Sequence, residues 1–212
     1  MVQVKICGLQ NKQAIQTAAE AGADFIGFVF AKSKRRVTKE QAANLAQFVP
    51  SNVKKVGVFV NEDIEVIREI AQDVGLDYVQ LHGDESPAFC QEIGLPVIKA
   101  FEVRGASDLD KISSYECAYY LLDSPSGKYR GGSGEAFDWQ VAKEFDFLNK
   151  KILLAGGLKV ENIEEAIAEV APAGVDVSSG VETSGEKDLE KIKAFIDAAK
   201  KGDGNGKLSG AK

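Results

Sequence analysis

Cys7 stands in the stretch "VKICGLQ", residues 4–10, where a β-branched run stops and a glycine, Gly8, follows. A cysteine there is either a small buried hydrophobe or, as thiolate, a base or nucleophile beside backbone that a ligand can approach. Asp123 ends the run "AYYLLD" (118–123) and is an acid if it is held protonated. The single histidine, His82, ends "YVQLH" (78–82) and reads as a ligand contact. After a second apolar run, "AKSKRRV" (31–37) offers Arg35 and Arg36, whose planar forks suit a carboxylate. Two glycine-bearing stretches, "LAGGL" (154–158) and "VSSGVE" (177–182), have the composition of loops that hold phosphate through backbone N–H groups. A third, "SPSGKYRGGSG" (124–134), has no apolar period and reads as an active-site flap. Cys90 and Cys117 have no comparable setting and read as structural.

These residues share a position in a repeating pattern. Strand candidates fall at 2–7, 25–30, 55–60, 78–82, 97–103, 118–123, 151–156 and 175–179. Segments of helical period lie between them, among them "NKQAIQTAAEAGA", which stops at Gly22, and "TKEQAANLAQFV", where Thr38 and Gln41 have capping-box spacing. Shorter helices are expected at 86–93, 107–113 and 138–145. Strand–helix alternation implies parallel strands joined by right-handed crossovers. Eight such units point to a single-domain α/β protein, a closed (β/α)8 TIM barrel over residues 1–200 with a flexible glycine-rich tail at 201–212. An open doubly wound sheet would leave several runs unused, and no G-x-G-x-x-G follows the first strand.

Side chains alternate in and out along each strand. If Cys7 faces inward, so do Gln3 and Lys5; Gln80 and His82 share one parity, as do Asp176 and Ser178. The strong polar residues then collect inside, most of them at strand tips, where barrels of this kind carry their chemistry. Lys5 and Asp176 lie deeper on the first and eighth strands and are expected to form an internal ion pair.

A net charge of −6 with a pI near 5.0 argues against nucleic acid as a partner. Three widely spaced cysteines fit a reducing compartment better than a disulfide framework. With no apolar run approaching the ~20 residues of a membrane helix, and no signal peptide, the expected place is the cytoplasm, away from membranes.

Taken in order, "KICG", "GFVF…SKRRV", "GVFVN", "QLHGDE", "LLD", "GGSG..FDW", "LAGGL" and "VDVSSGVE" resemble the phosphoribosylanthranilate isomerase family, from residue 2 to about residue 200. The resemblance implies a (β/α)8 fold and an Amadori rearrangement in tryptophan biosynthesis. N-(5-phosphoribosyl)anthranilate becomes 1-(o-carboxyphenylamino)-1-deoxyribulose 5-phosphate, with no metal or organic cofactor. It makes Cys7 the general base and Asp123 the general acid, and gives the aryl carboxylate to Arg35. His82 and Gly132 of the flap contact the substrate, and Gly156, Gly157, Ser179 and Gly180 form the phosphate site. Ser133 stands where the family also shows threonine. The implied partner is a small phosphorylated substrate, handled by a monomer or homodimer. A base at Cys7 requires the ionised thiol to be favoured, with Lys5 as the expected source of positive field. Two alternatives remain at this stage. The related histidine-pathway sugar isomerase uses aspartate where Cys7 stands, and its halves repeat. A non-catalytic phosphate-binding barrel has no physical need for both Cys7 and Asp123.

Overall fold

The computed structural model describes residues 1–123, 147 and 150–206. Gly132, Ser133, the helix expected at 138–145 and the last residues, 207–212, lie outside them. The eight expected runs form eight strands, slightly shifted or shortened at their ends: β1 (Gln3–Cys7), β2 (Phe25–Val29), β3 (Lys54–Phe59), β4 (Tyr78–Leu81), β5 (Val97–Glu102), β6 (Tyr119–Asp123), β7 (Ile152–Leu154) and β8 (Gly174–Val177). Each pairs in parallel with its sequence neighbour, and β1 also pairs with β8, so the sheet closes into a barrel. Closure sets Lys5 opposite Asp176 in register.

Helices Lys12–Glu20, Lys39–Ala46, Ile64–Val74, Pro87–Glu92, Ala106–Leu109, Ile163–Val170 and Leu189–Gly206 pack outside the barrel. Local chemistry sets several of their ends. Asn11 accepts from the Ala14 amide, and Thr38 and Gln41 form the expected capping box. Gly75 closes helix Ile64–Val74 at φ 68°, a left-handed conformation that costs glycine least. Among the described residues no helix is long and apolar enough to cross a membrane. The final helix continues through Gly206, past the residue 200 boundary of the sequence reading.

Outward-facing side chains such as Val4, Ile6, Ile26 and Val175 bury themselves against the helices. The barrel interior is filled from the bottom by Phe25, Tyr78 and Tyr119, packed edge to face with ring centres 5.6–5.9 Å apart. The Tyr119 hydroxyl donates to Gln3 at 2.7 Å, so the deepest inward residue of β1 is satisfied. Val56, Ile98, Leu121 and Leu153 form the next level. Cys7, Val29 and Val58 cluster near the top. The polar residues above them stand on a packed floor.

One sequence feature went unread. After β8 a 3-10 turn (Ser179–Val181) leads into a two-stranded hairpin, β9 (Glu182–Thr183) and β10 (Glu186–Lys187). Its loop residues, Ser184 and Gly185, both have positive φ, which matches the twist of a tight hairpin.

The bottom of the barrel is tied by Asp24, whose carboxylate accepts from the buried Val4 amide at 2.8 Å and from Lys200 at 2.6 Å. Asp24→Ala strands that amide and is expected to lower the unfolding free energy by about 1–3 kcal/mol in urea titration. An unchanged urea midpoint contradicts this reading of the lower face.

Candidate active site

At the C-terminal ends of the strands lies a cavity of about 240 Å³, lined by Cys7, Arg35, His82, Asp123, Gly156, Gly157, Ser179 and Gly180. These are all the site residues expected from sequence except Gly132, which lies outside the described residues.

Cys7 ends β1 and is buried. Below it the Lys5 ammonium, with no exposed side-chain surface, bonds Asp176 at 2.9 Å and also reaches the thiol. Gly27 on the neighbouring strand makes room for both groups: a Cβ there would lie 3.0 Å from the Cys7 Sγ and 3.2 Å from the Lys5 Nζ. Burial opposes the Lys5 charge, yet Asp176 and Cys7 together raise its pKa above the usual lysine value. Burial also pushes the Cys7 thiol up, and the Lys5 cation only partly offsets it. The expectation that the surroundings favour the ionised thiol is therefore corrected: Lys5 supplies the expected field, but desolvation is the stronger influence.

Asp123 ends β6, half-buried, with its Oδ2 3.3 Å from the His82 Nε2. The other ring nitrogen of His82 lies 3.1 Å from the Gln80 Nε2, so an amide donor there leaves Nε2–H to face the carboxylate. The loop carrying His82 is held from beneath. The Glu85 carboxylate accepts from the Gly83 and Asn61 amides and pairs with the buried Lys99 at 3.2 Å.

Of the two arginines, Arg35 enters the cavity wall and Arg36 is exposed. Its stem crosses the turn after β1, and a Cβ on Gly8, at φ 77°, would fall 2.6 Å from the Arg35 Cδ. Its head is gripped by Glu182, with Nε to Oε1 at 2.5 Å and Nη2 to Oε2 at 3.0 Å. Lys34 and Lys187 bond the same carboxylate, each at 3.0 Å. Burial works against the Glu182 charge, but hydrogen bonds from Arg35, Lys34 and Lys187 outweigh it and hold its pKa at about 2. Lys187 also donates to the Ser178 carbonyl at 2.7 Å, and Ser178 Oγ donates to the Cys7 carbonyl at 3.2 Å. Sequence reasoning missed Glu182, Lys187 and Gly27 as members of the site. The available signal was the short "ETSGEK" segment, two polar residues either side of a Ser-Gly turn.

The β7 and β8 loops complete the wall. Gly156 and Gly157 have φ of 79° and 67°, and a Cβ on Gly180 would lie 1.9 Å from the Leu158 carbonyl oxygen. These glycines let two loops meet backbone to backbone beside the cavity. Cys90 and Cys117 hydrogen-bond each other away from it, in keeping with a structural role.

The family model described as N-(5'phosphoribosyl)anthranilate (PRA) isomerase matches residues 4–198. The N-(5'-phosphoribosyl)anthranilate isomerase of Listeria welshimeri is 53% identical over 197 residues, covering 93% of this chain and 98% of its own. The Thermotoga maritima phosphoribosyl anthranilate isomerase structure is 43% identical, with a TM-score of 0.89 over 95% of this chain and 100% of that one. A phosphoribosyl anthranilate isomerase in complex with reduced 1-(o-carboxyphenylamino)-1-deoxyribulose 5-phosphate is 41% identical, with a TM-score of 0.82 over the same shares.

Because burial raises the thiol above its ordinary value of 9.0, the ionised fraction of Cys7 grows with pH through the alkaline range. Site-resolved alkylation by iodoacetamide is expected to go on accelerating past about pH 9. A plateau reached near neutrality contradicts the dominance of burial.

Proposed function

The chain belongs to the N-(5'-phosphoribosyl)anthranilate isomerase family, and from that membership we propose that Cys7 is the general base and Asp123 the general acid of its reaction. That reaction is the Amadori rearrangement of N-(5-phosphoribosyl)anthranilate to 1-(o-carboxyphenylamino)-1-deoxyribulose 5-phosphate, a step of tryptophan biosynthesis. Ring opening needs a proton on the furanose oxygen. Asp123 donates it, and the C1–O bond breaks to leave a protonated imine between C1 and the aryl nitrogen. Cys7 as thiolate then removes the C2 proton, and the C2–H electrons move toward C1 and the nitrogen to give an enolamine. Loss of the C2 hydroxyl proton and protonation at C1 yield the aminoketose.

The single observation that carries this assignment is the convergence of Cys7, Asp123, Arg35 and the β7–β8 glycine loops on one cavity. Around the barrel the order is β7 and β8, then β1, then the β2 loop. A ligand with phosphate at the β7–β8 end and its aryl carboxylate at Arg35 passes Cys7 between them, with Asp123 on β6 to one side. We assign the phosphate to Gly156, Gly157, Ser179 and Gly180, where a backbone without side chains admits close approach. His82 holds the Asp123 carboxyl and contacts the substrate. Arg35 takes the carboxylate because a guanidinium fork matches it in plane. The elevated thiol means that only a minority of Cys7 is thiolate at neutral pH, and Lys5 keeps that minority larger than burial alone would allow.

The organisation we propose is one barrel domain over 1–200 with a short C-terminal extension, acting in the cytoplasm as monomer or homodimer. Support comes from the Listeria welshimeri relative, 98% of whose length is matched over 197 residues of this chain.

Turnover can be followed by the loss of the substrate's anthranilate fluorescence. Cys7→Ala and Asp123→Asn are each expected to cut kcat by ~10²–10⁴-fold, the usual cost of losing a general acid or base. Either variant turning over within a few-fold of wild type removes that residue from its role.

A further inference from the structure

Arg35 could reach a ligand in many orientations if its head were free, because its long side chain has many rotamers. It is not free. Glu182 takes the side edge of the guanidinium, Nε–H and one Nη2–H, at 2.5 and 3.0 Å. That leaves the end edge, formed by Nη1 and the second Nη2 hydrogen, turned away from Glu182. A guanidinium with its side edge engaged can still bind a second carboxylate through its end edge, in the same plane.

Glu182 is itself fixed. Its side chain is 5% exposed, and the buried Lys187 and the exposed Lys34 share its oxygens. It opens the hairpin formed by β9 and β10, whose other strand brings Lys187 back against it. Lys187 then bonds the backbone of Ser178, the residue before the glycine-bearing turn at the cavity wall. One hairpin thereby connects the Arg35 head to the loop after β8.

We propose that Glu182 is a positioning and specificity-determining residue: by occupying the side edge of Arg35 it aims the end edge at the aryl carboxylate of the substrate. The inference rests on the assignment of that carboxylate to Arg35. Two effects of Glu182 oppose each other. Its negative charge weakens the net attraction of the basic cluster for an anion, while its grip removes the entropy cost of ordering Arg35 at binding. With Lys34 and Lys187 also on the carboxylate, three cations face one anion, so the cluster stays net positive and orientation is the effect that decides.

The test compares two ligands, the reduced product 1-(o-carboxyphenylamino)-1-deoxyribitol 5-phosphate and its phenylamino counterpart without the carboxylate. Calorimetry gives the affinity ratio, which is the preference for the carboxylate. In Glu182→Gln this ratio is expected to fall at least about tenfold, the scale of one charge-assisted hydrogen bond. The ligand without carboxylate should bind within about twofold of wild type, which shows that the cavity is intact and a general structural role is excluded. A ratio that is unchanged or higher overturns the proposal. Arg35→Ala separates the two levels of inference. If it abolishes the preference while Glu182→Gln retains it, only the positioning role fails; if Arg35→Ala retains the preference, the carboxylate assignment fails with it. Should Glu182→Gln not fold, Glu182→Asp keeps the charge but retracts it by one methylene. An unchanged preference there contradicts the proposal equally.

Discussion

A lysine with no exposed surface has to be neutralised inside the protein, and here that requirement fastens the first strand to the last. Lys5 on β1 meets Asp176 on β8 at 2.9 Å, across the seam where the barrel closes. Such a pair says little about net stability, since desolvating both ions offsets much of their attraction, but losing one partner leaves an uncompensated buried charge. Its placement matters more than its energy. The ammonium lies one inward position below Cys7, and Gly27 on β2 is bare so that thiol and ammonium can both fit. The same contact that closes the sheet sets the electrostatics of the reactive sulfur.

Two opposing forces then act on Cys7. Being packed with Val29 and Val58 at the top of the core raises its pKa, while Lys5 lowers it. Burial prevails, so the resting residue is a thiol. A buried base surrounded by apolar groups gains strength once ionised, because water no longer shields it, at the cost of being ionised less often. His82 and Gln80 approach the opposing acid by a different means, a Gln80–His82 hydrogen bond that sets the ring and a 3.3 Å contact from its Nε2 to Asp123 at the tip of β6.

Much of this was legible in the sequence because it depends on short-range patterns. Alternating apolar runs marked the eight strands, parity put Lys5, Cys7, Gln80, His82 and Asp176 on the inside, and two glycine-bearing stretches marked the β7 and β8 loops. The Arg35 or Arg36 question was not decidable by pattern, because adjacent residues in a turn have no fixed parity. What places Arg35 at the cavity is a tertiary contact: Gly8 has no side chain, so the Arg35 stem lies across the β1 turn. Glu182 and Lys187 were invisible for a related reason. Their importance comes from a four-residue hairpin ladder and from contact with Arg35, 147 residues away in sequence. The net effect on the thiol was not legible, because a sequence lists charges such as Lys5 but not the burial that acts against them.

The most direct measurement is a crystal structure of this protein with reduced 1-(o-carboxyphenylamino)-1-deoxyribulose 5-phosphate bound. The account predicts the phosphate against the backbone of Gly156, Gly157, Ser179 and Gly180, and the carboxylate on the end edge of Arg35. It also predicts the Cys7 sulfur within roughly 3–3.5 Å of the carbon that loses its proton, with Asp123 beside the oxygen released from the ring. A phosphate seated elsewhere, or a Cys7 sulfur turned away from that carbon, would contradict it.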